Sequence, residues 1–171
     1  MKHLWTPWRL EYILSDKQAG CIFCDMLEVA AERPRQGDDR ENLILHRCEL
    51  AFLVLNKYPY NNGHLMVVPY RHVDTPEELT AAEQADLMAL LALSIRALRQ
   101  SLNPEGFNIG ANVGQVAGAG VKDHVHFHVV PRWTGDTNFM PLFAEVRVIP
   151  QALSDTYEQV KAALEAILRE A

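Results

Sequence analysis

The chain has 171 residues, 49% of them hydrophobic and 22% charged, with a formal net charge of −6. That length supports one domain with a hydrophobic core, and the acidic balance argues against a protein that coats nucleic acid through its phosphates. No apolar run reaches the roughly 18 residues of a membrane span, and the charged, tryptophan-containing stretch Met1–Leu10 does not read as a secretory signal, so a cytoplasmic protein is expected.

The first motif along the chain is Cys21-Ile22-Phe23-Cys24. Three cysteines, an odd number, do not make a disulfide framework. C-x-x-C spacing suits half of a tetrahedral zinc site. A redox dithiol would need a β-α-β context, which the flanking sequence lacks. Two further ligands are required, and spacing leaves His46, Cys48, His64, His72 and His124 open. The polar stretch Glu32–Glu41, with Pro34 and Gly37, reads as a surface connection.

Strands are predicted at Leu43–His46, Ala51–Leu55, Leu65–Val68, Phe107–Val113 and His124–Val130, with a weaker candidate at Glu145–Ile149. The turn formers of Tyr58-Pro59-Tyr60-Asn61-Asn62-Gly63 make the second and third strands an antiparallel pair. His64 opens the third strand, and His72 follows it. A long helix is expected between Pro76 and Leu102, with Leu87, Leu91, Ile95 and Leu98 as its core stripe. Thr75-Pro76-Glu77-Glu78 and Thr80-Ala81-Ala82-Glu83 both have the form of a capping box, and Asn103-Pro104-Glu105-Gly106 ends the helix. A terminal helix over Leu153–Arg169 presents Leu153, Tyr157, Val160, Leu164 and Ile167 on one face. Strands grouped around one long helix indicate an α+β domain with an antiparallel sheet.

His124-Val125-His126-Phe127-His128-Val129-Val130 carries the most chemistry. Alternation places the imidazoles on one strand face, about 6.6 Å between neighbours, too far for one metal to take all three. Such a row suits a long anionic substrate. Upstream, Gly110–Gly120 holds four glycines in eleven residues, Gly118 and Gly120 among them. They let backbone amides approach an anion. A neutral imidazole with a fixed tautomer attacks phosphorus well, so the central His126 reads as the nucleophile, with His128 and His124 on phosphate oxygens.

The triplet resembles the signature of the histidine triad superfamily, as do Asn56, Gly63-His64 and Pro131-Arg132. Leu4–Arg9, Leu55–Asn61 and Pro131–Phe139 resemble the bacterial branch containing diadenosine tetraphosphate phosphorylases and related hydrolases. The resemblance implies a single domain over residues 1–171, its core about 21–133, followed by a C-terminal extension with a helix. It also implies a homodimer and a nucleotidyl intermediate on His126. Asn56 would contact the ribose, and His64, His128 and the Asn112 loop the phosphates. It implies zinc held by Cys21, Cys24, His72 and His124, which reassigns His124 from phosphate to metal. Magnesium would arrive with the nucleotide. In the loop Ala117–Asp123 many relatives carry a serine, threonine or glutamine, and this chain does not. Lys122, a water or backbone amides would have to serve the leaving group there. Two alternatives remain open: a nucleotide-binding module with little turnover, and an enzyme using two triad histidines to bind a catalytic metal.

Overall fold

Within residues 20–28, 36–118, 121, 123–136 and 151–170, which the computed structural model describes, nine regular elements follow the chain. They are α1 (Ile22–Glu28), α2 (Gln36–Glu41), β1 (Ile44–Arg47), β2 (Ala51–Leu55), β3 (Leu65–Pro69), α3 (Ala81–Leu102), β4 (Gly106–Gly110), β5 (Phe127–Arg132) and α4 (Leu153–Arg169), with 3-10 turns at Pro76–Glu78 and Gln115–Ala117. The five strands form one antiparallel sheet in the order β1-β2-β3-β5-β4. The α+β expectation is met.

β2 and β3 are buried at every position, because both faces of the sheet are covered. Period-two alternation sorts their side chains into two cores. Leu53, Leu55, Leu65 and Val67 pack with Leu90, Leu98, Val160 and Leu164 of the two long helices. Phe52, Val54, Met66 and Val68 form the opposite core with Ile44 and Phe23 of α1. The C-terminal helix is thus built into the first core.

The long helix begins later than Pro76. Thr80 is its N-cap, its side chain accepting from the Glu83 amide while Glu83 bonds the Thr80 amide, a complete capping box. Thr75 precedes only a 3-10 turn and makes no side-chain cap bond. The buried face runs through Leu87, Leu90, Ser94, Ala97 and Leu98, whereas Leu91 and Ile95 are half-buried at its edge. The predicted stripe is therefore rotated. Small Ala97 and Ser94 are buried on that face, and Ser94 Oγ donates to the Leu91 carbonyl at 2.7 Å. In α4, Tyr157, Val160, Leu164 and Ile167 are buried as predicted, and Leu153 is half-buried.

Strand boundaries differ in informative ways. β1 starts at Ile44, after Leu43 in a left-handed conformation (φ 60°). Its register slips between Ile44 and His46. The carbonyls of Ile44 and Leu45 accept from Tyr157 Oη and Lys161 Nζ of α4, at 2.9 and 2.7 Å, so the irregularity is satisfied from outside the sheet. β3 runs one residue further than predicted, to Pro69. β4 spans Gly106–Gly110 rather than Phe107–Val113, ending where its partner begins, with Gly110 opposite His128. Part of the predicted surface connection, Gln36–Glu41, is helical. The strand expected at Glu145–Ile149 lies outside the described residues.

At Gly63 the turn between β2 and β3 needs φ +71°, and an added Cβ would run into the Leu102 side chain. Glycine alone meets both demands.

Candidate functional site

The triad does not lie wholly on a strand. β5 begins at Phe127 and ends at Arg132, so only His128 stands within the ladder, opposite Met66 and Gly110. His124 to His126 lie outside the ladder, with the chain bending at His124. The Val125 amide donates to the Val73 carbonyl at 2.7 Å, and the His124 carbonyl lies 2.9 Å from His126 Nδ1. The Val125 amide is thus bonded to the segment after β3 rather than to a ladder partner.

Each triad tautomer is set by a neighbour. A carbonyl only accepts, so His126 carries its proton on Nδ1 and presents a lone pair at Nε2. His124 Nε2 lies 2.9 Å from the Pro69 carbonyl and must carry the proton, leaving the Nδ1 lone pair for the cysteine side. For His128 the setting is relayed. The Tyr60 amide donates to His64 Nδ1 at 3.0 Å, so His64 carries its proton on Nε2. That Nε2 lies 2.9 Å from His128 Nδ1 and donates to it, which leaves His128 with an N–H at Nε2. The nucleophile candidate thus offers a lone pair beside a neighbour that offers a donor, with ring centroids 4.8 Å apart.

Burial lowers the pKa of all three imidazoles. For His124 the Pro69 carbonyl opposes burial, and for His126 the His124 carbonyl does so. His128, desolvated and beside His126, is pushed down to about 4, so it is neutral at pH 7. Phe23 packs against His126 with centroids 5.1 Å apart and against His124 at 5.3 Å.

His64 is fully buried and reaches the site through His128, with the Tyr60 ring stacked on it at 4.8 Å. Asn56 Oδ1 accepts from the Tyr58 amide at 2.8 Å, which turns its Nδ2 toward His64 Nδ1 at 3.3 Å. In this conformation Asn56 supports the relay. Asn112 and His128 line one pocket, together with Tyr60, Asn108 and the β4 backbone. Gly118 is exposed with φ +83° at the end of the 3-10 turn that leads to the triad. Gly120 and Lys122, like Trp5 and Trp8, lie outside the described residues.

Cys21, Cys24, His72 and His124 bring four ligand atoms within 4.8 Å of one another. Of the five partners that spacing left open for the two cysteines, the fold delivers His72 and His124. Cys21 Sγ to His124 Nδ1 is 3.3 Å, Cys24 Sγ to His72 Nδ1 3.3 Å and Cys24 Sγ to His124 Nδ1 3.7 Å. A zinc tetrahedron with metal–sulfur bonds of about 2.3 Å and metal–nitrogen bonds of about 2.0–2.1 Å has ligand–ligand edges of about 3.5 Å. The donor set fits, and the His124 N–H on a backbone carbonyl is the usual support of a metal-bound imidazole. Sequence reasoning did not find the roles of Tyr60 and Pro69, since a backbone amide and carbonyl act there and no side-chain pattern marks them. The packing of Phe23 against two triad rings likewise has no mark in the sequence.

The model of the HIT domain matches residues 38–135. The chain is 44% identical over 158 residues to the AP-4-A phosphorylase of Mycobacterium tuberculosis, covering 91% of this chain and 80% of that one. It is 33% identical to an uncharacterized HIT-like protein of Methanocaldococcus jannaschii, over 82% of this chain and 98% of that one. Its fold resembles the crystal structure of a zinc-bound histidine triad family protein from Mycobacterium smegmatis, with a TM-score of 0.69 and 24% identity over 89% of this chain and 98% of that one. The family match opens inside α2, takes in all five strands and closes just past the strand that carries His128, so this chain belongs to the HIT family.

Proposed function

We propose that the protein is an enzyme that cleaves dinucleoside polyphosphates, with diadenosine tetraphosphate the first candidate, by nucleotidyl transfer through His126. The observation that carries this reading is the pairing of tautomers: a lone pair on His126 Nε2 beside a neutral N–H on His128. The substrate class comes from the relative named AP-4-A phosphorylase.

His126 Nε2 attacks the α-phosphorus, forming a P–N bond as the P–O bond to the departing nucleoside triphosphate breaks. The His128 N–H stabilises charge on a phosphate oxygen, and His64 holds His128 in that tautomer. In the second step an oxygen of inorganic phosphate, or of water, attacks the same phosphorus and the P–N bond breaks, regenerating His126. The resemblance favours phosphate. Asn112, Gly118 and Gly120 are assigned to the polyphosphate, and Asn56 to the ribose. The Asn56 amide must then exchange its present partners when nucleotide binds.

Cys21, Cys24, His72 and His124 are assigned to a structural zinc. Bound there, the metal would tie α1 to the segment before β5 and stiffen the backbone whose carbonyl orients His126. The edge of β4, with Ile109 and Val113 exposed beside it, supports a homodimer formed along that edge. No helix among the described residues is long and apolar enough to cross a membrane.

Incubation with diadenosine tetraphosphate in labelled phosphate tests the reading. Labelled ADP with ATP is the expected result for phosphorolysis, and AMP with ATP for hydrolysis. Absence of turnover on dinucleoside polyphosphates would leave a binding module in its place.

A further inference from the structure

The pocket beside His128 has a polar side chain that the proposed chemistry does not use. Asn108 lies on β4 opposite Val130, and Gly110 lies opposite His128. Asn108 is therefore two strand residues, about 7 Å, further along the same face. Asn108 and His128 line one pocket with Asn112.

The orientation of the Asn108 amide is fixed by chemistry. Arg132 Nη1 lies 2.6 Å from Asn108 Oδ1. A guanidinium has five donors and no acceptor, so oxygen must face it whichever way the amide is drawn. Arg132 is itself held by Asp136, with Nη2 to Oδ1 at 2.8 Å. Asp136 is anchored in turn by Asn61 Nδ2 at 2.9 Å and by the Trp133 amide at 3.2 Å. The Nδ2 of Asn108 is thereby turned away from Arg132, and among the described residues nothing accepts from it.

We propose that Asn108 is a substrate-binding residue whose Nδ2 donates to an oxygen of the polyphosphate beyond the phosphorus that His126 attacks. This rests on the function proposed above. The His128 N–H, the Asn108 amide and the Asn112 amide then form a run of neutral donors along the pocket, which suits successive phosphate oxygens. A residue that merely braced Arg132 would need only its oxygen, and aspartate would do that better. Arg132 is a positioning residue in this arrangement, acting through the amide it orients.

The test is nucleotide binding by calorimetry in the His126→Ala background, where no turnover interferes. Asn108→Asp keeps an oxygen for Arg132 and replaces the donor with a repelling carboxylate. It is expected to weaken diadenosine tetraphosphate at least about tenfold, the loss of one hydrogen bond to a charged group. AMP, which carries only the attacked phosphorus, is expected to bind unchanged. Asn108→Ala is expected to show the same selectivity with a smaller loss, and it decides alone if the aspartate variant does not fold. Unchanged tetraphosphate binding, or equal weakening of AMP, overturns the proposal. Failure of the His126→Ala parent to bind tetraphosphate overturns the function reading itself, and this inference with it.

Discussion

His128 shows how neighbours set the chemistry of one side chain. Its ordinary midpoint near 6.5 falls to about 4 through burial and the adjacent His126. Between those values the unfolded chain binds a proton that the folded chain refuses. This group's contribution to stability is therefore complete above pH 6.5 and declines as pH falls toward 4. Ring-carbon chemical shifts of His128 should titrate with a midpoint near 4. A midpoint near 6.5 would mean that the ring is solvated and that its donor tautomer is not held. Gly63 makes a second residue-scale prediction. Gly63→Ala adds a methyl at φ +71° against Leu102, and strain and overpacking should together lower stability by about 2–4 kcal/mol, read as a drop in the urea midpoint. An unchanged midpoint would show that the turn relaxes freely. The triplet stood out in the sequence because packing alone does not ask for three imidazoles in strict alternation. The relay from the Tyr60 amide did not, because a main-chain donor leaves no mark on residue identity.

Among the elements, α3 illustrates what local pattern decides and what packing decides. Both capping candidates had the right residues, yet only Thr80 caps the α-helix. Thr80→Ala should cost about 1 kcal/mol, whereas the same change at Thr75, which makes no side-chain cap bond, should cost much less; equal losses in thermal unfolding would contradict the assignment. The Leu87-Leu91-Ile95-Leu98 stripe was offset because hydrophobicity alone undervalues Ala97 and Ser94, small residues that are buried on the helix's inner face. β5 was placed too early for a related reason. Alternation marks extended backbone, but the Val125 amide and the His124 carbonyl are taken by Val73 and His126. At α1 the proposed zinc gives a further prediction. Cys21→Ser should lose zinc by metal analysis and melt at a lower temperature while keeping measurable turnover. Immediate, complete inactivation by a chelator, with the fold intact by circular dichroism, would instead indicate a catalytic metal.

At the scale of the whole molecule, the sheet separates the two long helices from the histidine cluster. The two long helices cover one face, and α1 with the histidines occupies the other. Antiparallel pairing was readable from the turn at Tyr58–Gly63, but the neighbouring of β3 and β5 was not, since 57 residues separate Pro69 from Phe127. That long-range pairing brings His64 to His128, and the adjacent segment brings His72 to His124. A homodimer along β4 predicts a sedimentation mass near twice 19.3 kDa, and a mass near 19.3 kDa would remove that edge from the proposal.

The most direct test of the proposed chemistry is to trap the intermediate. Protein mixed with diadenosine tetraphosphate without phosphate, quenched at neutral pH and digested, should yield an adenylylated peptide with the modification on His126 by mass spectrometry. A modification on another residue, or full turnover by His126→Ala, would contradict it.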